Sequence, residues 1–153
     1  MITAWRIVRA EYADDIFGGE GARRFGGRWN KVGHRVAYTA SSVSLATLEL
    51  LVTTPRAQLL SAFVITSCTF PEVLVDDVDE TQLPPNWRDY PTPPELQKLG
   101  TEWLLSGSSA VLSVPSAVTP EERNYLINPE HEHFRSVDVG PFRAFQLDLR
   151  LLT

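Results

Sequence analysis

Alternation of hydrophobic and polar positions runs through much of the chain and predicts short β-strands. The predicted strands cover residues 3–8, 36–39, 59–70, 73–75, 110–114, 125–127 and 143–151. Two other segments carry apolar residues at helical spacing, which predicts helices over 44–52 and 95–105. Many strands and only two principal helices favour an α+β fold with mixed β-sheets over a doubly wound sheet.

The residues around these segments indicate where elements begin and where loops lie. Ser42 or Ser44 can cap the first predicted helix, and Pro94 suits the first position of the second. Residues 17–30 predict a long loop rich in glycine and arginine. Residues 84–94, which are dense in proline, predict an ordered surface loop within the domain.

Composition limits the class of protein. The chain has 153 residues, of which 43% are hydrophobic and 22% are charged, and this fits one folded domain over residues 1–153. The single cysteine, Cys68, excludes an internal disulfide and fits a reducing cytoplasm. The first residues lack the features of a signal peptide, and no apolar run approaches the roughly 18 residues of a membrane span. We therefore expect a cytoplasmic protein without a membrane partner.

The charge of the chain disfavours direct binding to nucleic acid. The net charge is −5, whereas proteins that bind nucleic acid usually carry a basic surplus. Basic residues nevertheless concentrate in one stretch, where glycines lie between them: Arg23, Arg24, Arg28, Lys31 and Arg35. Such a stretch is either a solvated loop or a site for an anion.

Arg28 follows two glycines within this basic stretch. Glycine lets the backbone approach a ligand closely and leaves amide N–H groups free for anions, which brings Gly27 into the candidate site. Arginine binds phosphate through two parallel hydrogen bonds. The stretch lacks the Gly-Lys-Ser/Thr ending of a Walker A loop and does not match the dinucleotide-binding fingerprint. It therefore indicates an anion site but does not identify the anion.

Glu49 is a carboxylate on an apolar helix. At helical spacing it shares an arc with Leu45, Leu48 and Val52, so we expect it to be at least partly buried. A buried carboxylate costs roughly several kcal/mol unless it is paired or hydrogen-bonded. It is therefore either half of a structural ion pair with an arginine or a carboxylate that faces a substrate. An arginine in the glycine-rich loop and a tyrosine in the predicted strand just upstream favour the second interpretation.

Three further residues have both a structural and a functional interpretation. Tyr38 in a predicted strand and Trp29 in the loop are typical packing residues, but either ring could stack on a planar ligand. Ser116 follows Pro115 at a strand end. It is either an ordinary turn residue or a hydrogen-bond partner for a substrate oxygen.

His131 and His133 have a spacing that suggests metal binding. No third ligand cluster accompanies them in the sequence, so we expect a solvated loop and no metal site. The chain also lacks a Gly-x-Ser-x-Gly motif, which disfavours a serine hydrolase.

Four short motifs, in this order along the chain, resemble those of the RES-domain family, the toxin half of bacterial RES–Xre toxin–antitoxin pairs. The family is named for an arginine, a glutamate and a serine. The segment 124–129, with His131 and Phe134, resembles its downstream block, and the resemblance extends from Trp5 to Leu149. The four motifs are Gly26-Gly27-Arg28-Trp29-Asn30, Val36-Ala37-Tyr38-Thr39, Leu45-Ala46-Thr47-Leu48-Glu49 and Val114-Pro115-Ser116-Ala117.

The resemblance implies a fold like that of the ADP-ribosyltransferases and an activity that consumes NAD⁺. NAD⁺ would be the substrate, and no separate cofactor is implied. The nicotinamide–ribose bond would be cleaved by hydrolysis or by phosphorolysis. A cognate Xre-type antitoxin would hold the protein inactive in a hetero-oligomer.

The resemblance and the chemistry of the residues together imply a role for each candidate. Glu49 would stabilise the positive charge that develops on the ribose, as in glycoside hydrolysis. Arg28 and Arg24 would neutralise the pyrophosphate. Tyr38 would stack on or hold the nicotinamide ribose, and Ser116 would hydrogen-bond a ribose or phosphate oxygen. Further substrate contacts are assigned to Gly27, Trp29 and Asn128.

Three other functions stay open at this point: an ADP-ribosyltransferase that modifies a protein, an endoribonuclease, and a non-catalytic module that binds a partner. The acidic net charge and the lack of paired catalytic histidines argue against the endoribonuclease. Trp87 and Tyr90, which we expect to be exposed, would suit an interface, including that of a homodimer.

Overall fold

The computed structural model describes all residues from Met1 to Thr153 and shows three α-helices and eight β-strands. The helices are α1 (Glu20–Phe25), α2 (Val43–Thr53) and α3 (Pro94–Ser106). The strands are β1 (Ile2–Arg9), β2 (Ala37–Ala40), β3 (Phe63–Phe70), β4 (Val75–Asp77), β5 (Val111–Pro115), β6 (Arg123–Ile127), β7 (Asp138–Val139) and β8 (Arg143–Phe145).

The strands form one mixed sheet in the order β4-β5-β6-β2-β1-β3-β7, and β8 also pairs with β3. Only β4 and β5 pair in parallel. The end of β2 lies near the centre of the sheet, where Ala40 is opposite Asn124 of β6. Asn124 is in turn opposite Val114 of β5. The chain that leaves β2 for α2 therefore starts beside the ends of β5 and β6.

Both faces of the sheet are buried, each by its own hydrophobic cluster. Val111 and Leu112 are neighbours in β5 but belong to different clusters, and the same is true of Leu126 and Ile127 in β6. Because successive side chains of a strand point to opposite faces, the two clusters lie on opposite sides of the sheet. Helix α3 supplies Leu96 and Trp103 to one of them.

The main elements predicted from the sequence are confirmed. The strands expected at 3–8, 36–39, 110–114 and 125–127 correspond to β1, β2, β5 and β6 within one or two residues. The first helix is α2, and its cap is Ser42, whose side chain accepts a hydrogen bond from the Leu45 N–H. The second helix is α3, with Pro94 at its start and a left-handed Gly107 at its end.

The prediction that residues 17–30 form only a loop is wrong, because this stretch contains helix α1. Gly19 and Gly26 both have a left-handed φ of 72° and lie at the two ends of the helix. The Gly26 N–H closes the last turn on the Ala22 carbonyl. Two of the glycines that indicate a loop in the sequence are thus the residues that begin and end a short helix.

Three strand predictions need correction. The strand predicted at 59–70 begins only at Phe63, because residues 56–60 form a 3-10 turn. The short strand predicted at 73–75 lies instead at Val75–Asp77. The strand predicted at 143–151 stops at Phe145, and the Asp148 carboxylate then accepts the Arg150 N–H to start a 3-10 turn. Local side-chain capping ends the alternating pattern at this position.

The proline-dense segment is ordered, but only one of its two aromatic residues is exposed. Trp87 is half-buried and packs against the cluster that contains Leu96 and Trp103. Tyr90 is exposed. The expectation that both aromatic side chains are exposed is therefore wrong for Trp87 and correct for Tyr90. None of the helices combines the length and apolar character needed to cross a membrane.

Candidate active site

A cavity of about 310 Å³ lies beside helix α2, the central strands and the loop that carries Arg28. This volume is in the range of small-molecule sites. Its lining includes four of the predicted functional side chains: Arg28, Trp29, Tyr38 and Glu49. Arg28 and Glu49 therefore share one cavity, whereas Ser116 contacts Glu49 but does not line that cavity.

Residues 26–31, called the arginine loop below, are held by an internal set of hydrogen bonds. The Gly27 N–H donates to the Asn30 carbonyl at 3.0 Å. The fully buried Asn30 side chain donates through Nδ2 to the carbonyls of Ala22 and Lys31 at 2.9 and 3.1 Å. The loop is consequently rigid, and the Gly27 amide is not free to bind an anion as the sequence suggested.

Helix α3 supports the arginine loop from outside. Gln97 Nε2 donates to the Gly27 carbonyl at 3.0 Å, and Thr101 Oγ1 accepts the Lys31 N–H at 3.0 Å. Between these two contacts lies Gly100, where a Cβ atom would overlap with the carbonyl oxygen of Trp29. The helix can lie this close to the loop only because residue 100 has no side chain.

The Tyr38 hydroxyl is committed to the arginine loop. It donates to Asn30 Oδ1 at 2.6 Å and accepts the Trp29 N–H at 3.1 Å. Burial raises the pKa of Tyr38, so the hydroxyl stays protonated and keeps its donor role. A Cβ atom on Gly27 would lie 2.6 Å from the Tyr38 hydroxyl oxygen, which explains the glycine at that position. Only the Tyr38 ring is left to contact a ligand, so the expectation that its hydroxyl holds a ribose is not supported.

We predict that Tyr38→Phe lowers the free energy of unfolding by about 1–3 kcal/mol, because it leaves the buried Asn30 Oδ1 without its donor. Urea unfolding monitored by tryptophan fluorescence measures this loss. Tyr90→Phe is the matched control, since Tyr90 is exposed. If Tyr38→Phe were as stable as the control, the hydroxyl would be dispensable for the loop.

Glu49 is half-buried and one of its carboxylate oxygens is held twice. Oε1 accepts hydrogen bonds from Ser116 Oγ and from Asn124 Nδ2, each at 2.8 Å. Oε2 makes no hydrogen bond within the protein, and no arginine forms an ion pair with Glu49. The alternative of a structural Glu–Arg pair is therefore wrong. The carboxylate is fixed in place yet keeps one oxygen available.

The apolar arc predicted around Glu49 is only partly correct. Leu45 is fully buried, but Leu48 is 38% and Val52 is 64% exposed. The buried side of α2 runs instead through Leu45 and Ala46 and reaches the sheet. Glu49 lies at the edge of this side, which places it at the cavity and not inside the core.

Ser116 acts on Glu49 and has no free capacity for a substrate. It is fully buried and is not part of the cavity lining. Its hydroxyl donates to Glu49 and accepts the N–H groups of Val118 and Thr119, each at 3.1 Å. The predicted contact of Ser116 with a ribose or phosphate oxygen is therefore corrected to a positioning role.

Arg28 is half-buried and is oriented by backbone oxygens. Its Nη1 donates to the carbonyls of Trp87 and Asp89 at 2.9 and 3.1 Å, whereas Nε and Nη2 make no hydrogen bond within the protein. Partial burial lowers the pKa of Arg28, and the nearby Glu49 carboxylate acts in the opposite direction. Two nitrogens of a cation, with three N–H groups between them, are thus left for an anion.

Sequence reasoning missed a second arginine, Arg6, which also lines the cavity. Its Nε donates to the Ile16 carbonyl at 2.7 Å and its Nη1 to the Tyr38 carbonyl at 2.9 Å. Burial lowers the pKa of Arg6 to about 10, so the side chain stays cationic at neutral pH. The sequence contained a signal for this residue, since Arg6 is a charged side chain between Trp5 and Ile7 within a predicted strand.

Asn124 was also missed, although it stands first in the downstream block that resembles the family. It lines the cavity and donates to Glu49. Because a carboxylate oxygen cannot donate, this contact fixes the orientation of the amide. The Asn124 Oδ1 atom is then the one buried side-chain nitrogen or oxygen of the chain without a hydrogen-bond partner.

Two of the residues assigned to substrate binding lie outside the cavity lining, and a third, Trp29, is almost fully buried. Arg24 is exposed, lies outside the cavity lining and stacks its guanidinium over the Phe25 ring. Trp29 lines the cavity but is only 2% exposed, because its ring packs in the core cluster with Leu96. Asn128 lies in a different depression of about 380 Å³ beside Arg35.

His131 lines this second depression, and its ring contacts backbone groups. One His131 ring nitrogen, Nε2, lies 2.8 Å from the Gly107 carbonyl, and the other, Nδ1, accepts the His133 N–H at 2.9 Å. Both ring nitrogens of His131 are thereby used. The second depression has no carboxylate held between donors like that of Glu49, so the chemistry favours the 310 Å³ cavity.

Comparisons with known proteins agree with the motif resemblance. The family model described as the RES domain matches residues 3–148. The chain is 41% identical over 149 residues to a protein named Toxin Res from Yersinia enterocolitica, covering 96% of this chain and 97% of that protein. It is 36% identical over 154 residues to a protein named Prs ADP-ribosylating toxin from a Sphingobium species, covering 97% of this chain and 95% of that protein.

The fold is similar to that in the crystal structure of the M. tuberculosis MbcT-MbcA toxin–antitoxin complex. The TM-score is 0.78, with 20% identity, over 95% of this chain and 84% of that chain. At this identity the likeness establishes the fold alone, and it confirms the predicted α+β class. Because the family model covers nearly the whole chain, and relatives with 36% and 41% identity align along almost their full length, the chain belongs to the RES domain family.

Proposed function

We propose that this chain is the toxin of a toxin–antitoxin pair and that it cleaves the nicotinamide–ribose bond of NAD⁺. The observation that carries the proposal is one cavity that holds a fixed carboxylate, Glu49, together with two arginines, Arg6 and Arg28. NAD⁺ offers the complementary charges, since its pyrophosphate is anionic and its ribose becomes cationic as nicotinamide leaves. The names of two relatives, each called a toxin, support the first part of this proposal.

The carboxylate suits the bond-breaking step. As the bond between ribose C1′ and the nicotinamide nitrogen breaks, its electron pair goes to the nitrogen, which leaves neutral without an acid. The ribose is left with oxocarbenium character, as in glycoside hydrolysis. Ser116 and Asn124 hold Glu49 Oε1, so Oε2 can face this charge without reorganisation. The absence of a catalytic histidine is consistent with this step.

The arginines suit the other end of the substrate. Arg28 keeps Nε and Nη2 free, and Arg6 keeps Nη2 free. Their other donors bind backbone carbonyls, so both guanidinium groups are oriented before a ligand arrives. Guanidinium groups bind phosphate oxygens with directional, charge-assisted hydrogen bonds. We assign the pyrophosphate to these two residues, and a stacking contact with the nicotinamide or its ribose to the Tyr38 ring.

The acceptor of the ADP-ribosyl group distinguishes three activities that share this cleavage. Water gives hydrolysis, inorganic phosphate gives phosphorolysis, and a protein side chain gives ADP-ribosyl transfer. The last is the second candidate, and the name of the Sphingobium relative favours it. A non-catalytic binding module is disfavoured, because such a module has no need for a carboxylate held by two donors with one oxygen left free.

We predict that the purified protein consumes NAD⁺ and releases nicotinamide in equal amount. Adenylate-labelled NAD⁺ should be followed with and without inorganic phosphate. Free ADP-ribose indicates hydrolysis, ADP-ribose-1″-phosphate that requires phosphate indicates phosphorolysis, and label on protein in a cell extract indicates transfer. Stable NAD⁺ under all three conditions would contradict the proposal.

The proposed partner is a cognate Xre-type antitoxin that acts with the toxin in the cytoplasm. The structural neighbour is itself part of a toxin–antitoxin complex, which supports an antitoxin for this chain as well. Induced expression of the chain in bacteria should lower NAD⁺ and arrest growth while RNA stays intact. Degraded RNA beside constant NAD⁺ would favour the endoribonuclease instead. The mass of the purified chain by light scattering distinguishes a monomer from a homodimer.

A further inference from the structure

Arg28 and Glu49 are joined by a path of hydrogen bonds and short backbone segments. The path starts at Arg28, whose Nη1 donates to the carbonyls of Trp87 and Asp89. These carbonyls belong to the proline-dense segment, residues 84–94. They are the only hydrogen-bond partners of the Arg28 guanidinium within the protein. The position of residues 87–89 therefore sets the direction in which Arg28 points.

The residue between those two carbonyls continues the path. Arg88 Nε donates to the Ala117 carbonyl at 3.0 Å, and Arg88 Nη2 lies 3.5 Å from the Val118 carbonyl. Ala117 itself lines the cavity. Arg88 thus connects the proline-dense segment to the turn that follows β5, called the serine turn below and comprising residues 116–119.

The serine turn holds the carboxylate. The N–H groups of Val118 and Thr119 donate to Ser116 Oγ, and Ser116 Oγ donates to Glu49. Arg28 is therefore connected to Glu49 through the proline-dense segment, Arg88 and the serine turn. No ion pair connects Arg28 with Glu49. We propose that Arg88 is a positioning residue that fixes the separation between the Arg28 guanidinium and the Glu49 carboxylate.

This role follows from how few contacts tie the two regions together. Trp87 anchors the segment in the core on one side of Arg88. On the other side, no side chain of the segment except that of Arg88 hydrogen-bonds to the serine turn. A single exposed arginine normally contributes little to global stability. A displacement of about 1 Å at a reacting group can nevertheless lower turnover about 100-fold. The effect of Arg88 should therefore appear in geometry and turnover and not in folding.

The consequence for turnover rests on the proposed cleavage of NAD⁺, whereas the consequence for the serine turn does not. We expect Arg88→Ala to increase amide hydrogen exchange at Val118 and Thr119 by about 10-fold, because opening of the turn becomes easier. We expect kcat/KM for NAD⁺ to fall about 10- to 100-fold, mainly through kcat. Arg88→Lys, which can still reach one carbonyl, should restore part of both. The matched control is Arg150→Ala, which removes an exposed arginine that binds Asp148.

A double-mutant cycle separates positioning from general weakening. If Arg88 fixes the separation between the two groups, Arg88→Ala should lower kcat/KM by a smaller factor in the Arg28→Ala background than in the wild type. Independent, multiplicative effects of the two changes would overturn the inference, and so would unchanged exchange at Val118 and Thr119. If the wild-type chain did not cleave NAD⁺ but Arg88→Ala still loosened the serine turn, the proposed function would fail while the positioning of the turn by Arg88 would stand.

Discussion

Glu49→Gln is expected to lower kcat for NAD⁺ cleavage by about 100- to 1,000-fold, the range found when one preorganised electrostatic group is removed from an active site. Glutamine keeps the shape of the side chain. Its amide oxygen can accept both hydrogen bonds that Glu49 Oε1 now receives from Ser116 and Asn124. The change therefore removes the negative charge and replaces the free Oε2 by an amide group that donates. The oxocarbenium-like ribose would then face the positive N–H end of an amide dipole in place of a negative charge.

The variant should remain folded, because neither buried donor loses its acceptor. Thermal unfolding should show a midpoint within a few degrees of the wild type, as expected for a change of about 1 kcal/mol or less. The matched control is Glu102→Gln on the exposed side of α3, where the carboxylate faces Lys98. Full turnover by Glu49→Gln would show that cleavage of the nicotinamide–ribose bond does not depend on this carboxylate. An increase in KM without a change in kcat would assign Glu49 to substrate binding and not to charge stabilisation.

The sequence was sufficient for the elements that carry the site. Ser42 caps α2 as its residue type predicts, and this places Glu49 two turns along the helix. The glycine-rich motif, the strand tyrosine and the helix carboxylate all reach one cavity. Those predictions rest on local rules of capping and periodicity, and local rules act within a few residues. The family resemblance added the order of the motifs but no geometry.

Contacts between distant segments could not be read from the same pattern. Ser116 is a turn serine by sequence, and only the pairing of β5 with β6 brings it to Glu49. The pairing of β6 with β2 brings Asn124 to the same carboxylate. The Tyr38 hydroxyl is likewise occupied by Asn30, eight residues away along the chain. For Ser116 and Tyr38 the sequence identified a polar group near the site but not whether the protein had already used it, and for Asn124 it identified no role.

Gly100 shows the same limit most clearly. In the sequence it is a glycine inside a helix, which normally weakens the helix by about 1 kcal/mol relative to alanine. The structure gives the reason for it: α3 lies against the arginine loop with the Trp29 carbonyl in the space that a side chain would need. The helix tolerates the glycine because the close contact lets Gln97 and Thr101 hold the loop on either side.

Gly100→Ala is therefore expected to lower the free energy of unfolding by about 2 kcal/mol or more, although alanine is the better helix former. The new methyl group must push α3 away from Trp29, which breaks the contacts of Gln97 and Thr101 with the arginine loop. Arg28 then loses its fixed position, so NAD⁺ turnover should fall at temperatures where the variant is still folded. Urea unfolding and turnover, measured on the same preparation, test both parts.

The matched control for this prediction is Gly21→Ala, the same substitution within helix α1, where a Cβ atom would meet nothing within 4 Å. That variant should keep wild-type stability or gain up to about 1 kcal/mol from helix propensity alone. The two changes are chemically identical and differ only in what the methyl group contacts. If both variants proved equally stable, α3 would be able to move away from the loop at no cost. The position of Arg28 would then depend on the proline-dense segment alone, without a contribution from the helix.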